Sequence, residues 1–201
     1  MIENKKIMII SPHADDETLG CGGILSSNVY SDCMVLLVTK PRMNEQKEEF
    51  VSVIDELRVK SEILNFKDIS IGIKDIPEIS KKIKEYIKSF NPDLIFMPTT
   101  SIHQDHEIVN RSTLIACKDF NISVLEYEYP ELHCNFLNFD ANYFFKMNEG
   151  LFQKKKNLFS KYISQTKRSR DLRALRILAE FRGMQCSEHY AEAFKIIKIY
   201  G

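Results

Sequence analysis

Lys6-Ile7-Met8-Ile9-Ile10-Ser11 is an apolar run of strand length that leads directly into Pro12-His13-Ala14-Asp15-Asp16-Glu17 and then into Thr18 to Ser27, which reads as a helix. A strand with no polar alternation is buried on both faces, the habit of parallel sheets covered by helices. The same alternation of apolar and amphipathic runs fills the first two thirds of the chain. Strands are expected at Lys6 to Ser11, Cys33 to Thr39, Ile69 to Ile73, Asp93 to Met97 and Ser123 to Tyr129. Helices are expected at Thr18 to Ser27, Asn44 to Asn65, Ile76 to Phe90, Asp105 to Lys118 and Asn148 to Ser160. Pro77 fits the first turn of its helix, and Pro92 stops that helix before the next strand. The last third is less regular: Thr166 to Arg182 is basic and helical in pattern, and Ala193 to Tyr200 alternates like a strand joining the sheet edge. The expectation is an α/β fold, Rossmann-like, with a mostly parallel sheet and helices on both faces, in a single domain over 1–201.

Composition narrows the function classes. Of 201 residues, 44% are hydrophobic and 28% charged, close to globular averages, so disordered and coiled-coil classes drop out. Lys and Arg together number 28 and so do Asp and Glu, so no bulk charge attracts nucleic acid or an anionic membrane, and a small-molecule partner is expected. The five cysteines are scattered without a C-x-x-C pair, which argues against a disulfide framework or a thiolate zinc site. The first apolar run, Ile7 to Ile10, is too short for a signal peptide, and the longest, Cys33 to Val38, is too short for a membrane span. A cytoplasmic protein is expected.

His13, Asp15, Asp16 and Glu17 leave the carboxyl end of the first strand together. Adjacent carboxylates repel, so their concentration beside an imidazole points to a bound cation or a proton transfer. The plainer reading is a run of turn formers with Asp16 capping the following helix. A second cluster, Ser101-Ile102-His103-Gln104-Asp105-His106-Glu107, follows the strand at Asp93 to Met97, and its plain reading is Asp105 as a cap with surface imidazoles. Topology connects the two. With right-handed crossovers and strand order 3-2-1-4, strands one and four are neighbours, and ligands bind in the crevice at such a switch point. Two histidines and one carboxylate with an open position form the ligand set of a catalytic zinc site. The expected ligands are His13, Asp16 and His106, and the same set suits non-heme iron. Asp15 and His103 are left over as proton-transfer groups, which favours hydrolysis.

Pro12-His13-Ala14-Asp15-Asp16-Glu17, followed by Thr18-Leu19-Gly20-Cys21-Gly22-Gly23 and, downstream, His103-Gln104-Asp105-His106, resembles the LmbE-like (PIG-L) zinc-dependent de-N-acetylases. Ser164-Gln165 and Tyr190-Ala191-Glu192-Ala193-Phe194 extend the resemblance over most of the chain. Gln104 stands where the family has proline, and Thr39-Lys40-Pro41-Arg42 lacks the usual glycine. The resemblance implies removal of an acetyl group from an N-acetylglucosamine-type conjugate, giving acetate and a free amine. It implies Zn2+ on His13, Asp16 and His106, Asp15 as general base, and His103 assisting at the reaction centre. It also leaves a homo-oligomer open.

Rival readings are a metal-dependent phosphoesterase or oxygenase on the same ligands, and a non-enzymatic receiver-like regulatory domain. In the receiver reading Asp15 and Asp16 hold magnesium and Asp75 is the phosphoacceptor after the third strand. Arg58 is a candidate for a substrate hydroxyl or phosphate, against the favoured reading of a solvated helix face. Gly20, Gly22 and Gly23 lack the G-x-G-x-x-G spacing and fit close helix-to-sheet packing. Lys154-Lys155-Lys156 reads as a solvated helix face, Cys21 as a small buried filler, and His133 and His189 as packing or surface residues.

Overall fold

A computed structural model describes residues 1–101, 103–130, 139–165 and 171–200. Seven strands form one sheet: β1 (Lys6–Ser11), β2 (Asp32–Lys40), β3 (Lys60–Lys67), β4 (Leu94–Pro98), β5 (Ser123–Tyr127), β6 (Tyr143–Met147) and β7 (Tyr190–Lys198), in the order β3-β2-β1-β4-β5-β7-β6. The first five are parallel, while β7 runs antiparallel to β5 and to β6. Among the described residues, six α-helices pack on the sheet: α1 (Asp16–Ser27), α2 (Asn44–Leu57), α3 (Ile76–Phe90), α4 (Gln104–Cys117), α5 (Glu149–Ser160) and α6 (Leu172–Gln185).

The apolar strands alternate between two cores, as a sheet covered on both faces requires. Ile7 and Ile9 of β1, with Val35 and Leu37 of β2, face α1, α2, α5 and α6. Met8 and Ile10, with Leu36 and Val38, face α3 and α4. The 3-2-1-4 order is present, and β1 and β4 lie side by side at the centre of the sheet.

Five expectations are corrected. The helix expected at Asn44 to Asn65 ends at Leu57, where Arg58 turns left-handed, and the third strand is Lys60–Lys67 rather than Ile69 to Ile73. Lys-Ser-Glu-Ile-Leu-Asn-Phe-Lys reads as polar helix surface, yet it is an edge strand with a single neighbour, where a polar face and terminal lysines are favoured. The last strand is not at the edge: β7 lies inside the sheet, and the strand outside it is β6, which the sequence reading left without an element. The helix near the carboxyl end spans Leu172–Gln185, capped by Asp171, and residues 166–170 of its expected range lie outside the described residues. Lys155 is buried rather than solvated, with Nζ donating to Glu192 at 2.6 Å and to the Leu19 carbonyl at 2.7 Å.

The glycines of α1 permit close packing, as expected. A Cβ on Gly20 would lie 2.2 Å from the Tyr127 ring, and one on Gly23 would lie 2.3 Å from the Met147 sulfur. Cys21 is buried, and burial pushes its thiol well above its usual pKa. His189 is exposed, and His133 lies outside the described residues.

Candidate active site

The loop after β1 is pinned on both sides. Thr39 of β2 donates its backbone N–H and its hydroxyl to the Pro12 carbonyl at 3.1 and 2.7 Å, and Ser11 Oγ donates to the His13 carbonyl at 2.7 Å. Beneath the loop lies the buried Glu17 carboxylate. It accepts from the Tyr162 hydroxyl at 2.5 Å, the Thr18 hydroxyl at 2.8 Å and the Asp15 N–H at 3.2 Å. Burial raises the Glu17 pKa even against these donors. Between the pinned points Asp15 adopts φ 123° and ψ −28°, a backbone conformation that L residues rarely take. Its side chain is fully buried.

The second cluster arrives from β4. His103 is the N-cap of α4: its Nδ1 accepts the Asp105 N–H at 3.3 Å, while its own N–H donates to Ser101 Oγ. Asn110 anchors α4 to the end of β4 by donating to the Pro98 carbonyl at 2.8 Å. The two clusters meet, with ring centroids of His13 and His103 4.7 Å apart, His13 and His106 5.2 Å apart, and His103 and His106 5.3 Å apart.

One oxygen organises the centre. Asp16 Oδ2 lies 3.2 Å from His13 Nδ1 and 3.2 Å from His106 Nε2, and it accepts the His13 N–H at 2.9 Å. The opposite edge of His13 faces two other carboxylates, with Nε2 3.1 Å from Asp105 Oδ2 and 3.2 Å from Asp68 Oδ1. Burial disfavours charge on His13, but the hydrogen bonds its ring makes to the Asp105, Asp16 and Asp68 carboxylates outweigh it and hold its pKa well above 6.5. Burial also disfavours charge on Asp16, yet His106 and His13 keep its pKa well below 3.8. His103 shifts the other way, lowered by burial and by its two imidazole neighbours.

Among the described residues, two groups of side chains have ligand atoms within 4.8 Å of one another, as a metal ion needs: His13 with His103 and His106, and His13 with Asp68 and Asp105. Asp16 Oδ1 and Asp105 Oδ1 are buried and accept no hydrogen bond among the described residues. Orphaned buried carboxylate oxygens beside converging imidazoles fit a cation.

The centre opens into a cavity of about 190 Å³ lined by His13, Ala14, Thr39, Pro41, Arg42, Gln46, Asp68, Ile69, His103 and Gln165. Arg58 is not among these residues. Helix α2 runs back from the carboxyl edge of the sheet, so its last turn and Arg58 lie at the opposite edge, where the exposed side chain faces solvent. The guanidinium at the cavity is that of Arg42, whose Nε donates to Asp68 Oδ2 at 2.6 Å. Asp105 does not cap α4. It is buried in the first turn, where Oδ2 accepts the Ile69 N–H at 2.8 Å. Asp68 and Ile69 escaped notice as site residues because the misplaced third strand hid the loop they sit on, while Arg42, on the loop between β2 and α2, lies in a segment read only for its missing glycine. Asp75, wanted as a phosphoacceptor by the receiver reading, lies in a 3-10 turn (Ile73–Asp75) and accepts the Gly72 N–H. Asp68 takes the place after the third strand, held by Arg42 and His13.

Among curated proteins, the chain is 24% identical over 135 residues to a probable N-acetyl-alpha-D-glucosaminyl L-malate deacetylase 2 of Bacillus cereus. That match covers 56% of this chain and 60% of the relative, so the chain spans under two thirds of the relative's length. Solved structures show the fold more completely. The N,N'-diacetylchitobiose deacetylase of Pyrococcus horikoshii superposes with a TM-score of 0.78 at 19% identity, covering 96% of this chain and 84% of that one. A 4-carboxy-2-hydroxymuconate hydratase of Pseudomonas putida superposes with a TM-score of 0.77 at 14% identity, covering 98% of each chain, so the fold alone does not fix the reaction. Residues 8–117 match the family model described as PIG-L, GlcNAc-PI de-N-acetylase. They span both clusters and more than half of the chain, and the protein belongs to the PIG-L family.

Proposed function

We propose that the protein is a zinc-dependent hydrolase that removes the acetyl group from an N-acetylglucosamine-type conjugate, giving acetate and a free amine. The observation that carries this reading is the convergence of His13, Asp16 and His106, with Asp15 and His103 beside them, at the floor of a polar cavity. His13, Asp16 and His106 would hold the ion. A histidine lends one ring nitrogen to a metal, and the Nδ1 edge of His13 faces Asp16 and His106. Its Nε2 edge then donates to Asp105 and Asp68, the usual arrangement for orienting a ligating imidazole. Bound zinc supplies a Lewis acid for the amide carbonyl and acidifies water.

Asp15 takes the proton of the attacking water. The water oxygen bonds to the acetyl carbon, the C–N bond breaks, and that proton ends on the departing nitrogen. Because His103 Nδ1 accepts the Asp105 N–H, the proton of its neutral ring sits on Nε2, and the lowered pKa favours that neutral form near pH 7. His103 therefore donates a hydrogen bond to the developing oxyanion. The substrate is a small acetylated amino-sugar conjugate, and among the described residues no helix is long and apolar enough to cross a membrane.

Zinc-loaded protein incubated with a panel of N-acetylglucosamine conjugates is expected to release acetate, and to lose that activity to a chelator. Release of phosphate, consumption of oxygen, or hydration of a carbon–carbon double bond without acetate would replace this reading with another chemistry on the same ligands.

A further inference from the structure

Ile69 follows Asp68 in the loop after β3, with φ 54°. Left-handed backbone is cheap for glycine, asparagine or aspartate and costly for a β-branched residue, so an isoleucine there is an outlier. The loop holds it in place, since the Ile69 N–H donates to Asp105 Oδ2 at 2.8 Å and Asp68 is fixed by Arg42 and His13. A buried isoleucine would offset this strain by packing in the core. Ile69 does not: the residue is 60% exposed and belongs to neither core cluster of the sheet.

Ile69 instead lines the cavity with Pro41, His13 and His103, and its exposure places it on the solvent side of the buried histidine centre. At about 190 Å³ the cavity is smaller than the roughly 300–1,000 Å³ typical of drug-sized ligands. A cavity of that size has room for about one sugar ring, and the remainder of a conjugate would extend out of it. We infer that Ile69 is a specificity-determining residue, whose apolar side chain is held by the strained loop against an apolar aglycone attached to the acetylated sugar. The inference rests on the deacetylase reading for the identity of the sugar, and on the geometry of the loop for the apolar contact.

The test compares methyl and phenyl N-acetyl-β-D-glucosaminide, with binding by titration calorimetry measured separately from acetate release. Wild-type protein is expected to bind the phenyl glycoside about tenfold more tightly than the methyl one, as one apolar contact allows. Ile69→Asn, which accepts the left-handed backbone, is expected to bring that ratio close to one and to raise Tm by about 2–4 °C. Equal affinities in the wild type, no binding of either glycoside, or a ratio unchanged in Ile69→Asn overturns the inference. So does a fall in Tm for Ile69→Asn, which would mean that the side chain stabilises the fold. A binding preference that Ile69→Asn abolishes, with no acetate released, keeps the role of Ile69 and removes the deacetylase reading.

Discussion

Asp15 unites two unfavourable features at one residue, a carboxylate with no solvent exposure and a backbone at φ 123°. Strain of this kind costs about 1–3 kcal/mol and persists where a site depends on it. Two substitutions separate the chemistry from the strain. Asp15→Asn keeps the shape and removes the basic oxygen, so zinc content by elemental analysis should stay near wild type while turnover falls by about 10² to 10⁴. Asp15→Gly should be equally inactive yet melt higher, because glycine takes this backbone conformation without strain. A glycine variant less stable than the asparagine one would show that the loop is held by the side chain of Asp15. At this scale the sequence was informative wherever chemistry lay in adjacent letters: His13, Asp15 and Asp16 share one turn, and His103 and His106 share another. Asp68 was not legible, because a single aspartate acquires meaning only once Arg42 and His13 are seen on either side of it.

Among the elements, those with an unbroken apolar run or a clean amphipathic period were the readable ones. β1 and the α3 span Ile76–Phe90 follow their apolar pattern to the residue, whereas β3 and β6, at the two edges, carry polar or mixed faces that periodicity does not separate from helix or loop. Lys155 was misread for a related reason, since a lysine between two lysines looks solvated until its partner arrives from β7. That partner, Glu192, accepts the Gly23 and Ile24 N–H groups at 2.6 and 3.0 Å while Lys155 donates to the Leu19 carbonyl, so the ion pair clasps the backbone of α1. Lys155→Met leaves a buried carboxylate without its cation and should cost about 3–5 kcal/mol in denaturant unfolding. The double variant Lys155→Met with Glu192→Leu should cost less than either single change. Leu19 and Gly23 stand four residues apart in α1, so the freed carbonyl and N–H become each other's ordinary helical partners. A double-mutant cycle that came out additive would remove the clasp from this account.

Across the whole molecule, the proposed zinc site joins segments that the chain keeps about ninety residues apart, the β1–α1 loop and the β4–α4 loop. The strand order makes them neighbours, and for that reason the crevice was readable from the sequence despite a misplaced third strand: β1 and β4 stay adjacent wherever β3 begins and ends. A ligand that bridges both loops binds the folded chain and not the unfolded one, so it must stabilise the fold as a whole. Zinc at a free concentration one hundred times its Kd should add about 2.7 kcal/mol, read as a rise in Tm that a chelator reverses. His106→Ala and Asp16→Asn each remove a proposed ligand from one of the two loops, and each should abolish most of that zinc-dependent rise. Asp15→Asn, which leaves all three proposed ligands in place, should keep it. If all three variants responded to zinc as the wild type does, the ion would be binding elsewhere. If Asp15→Asn alone lost the response, the division between the ligand Asp16 and the base Asp15 would be reversed.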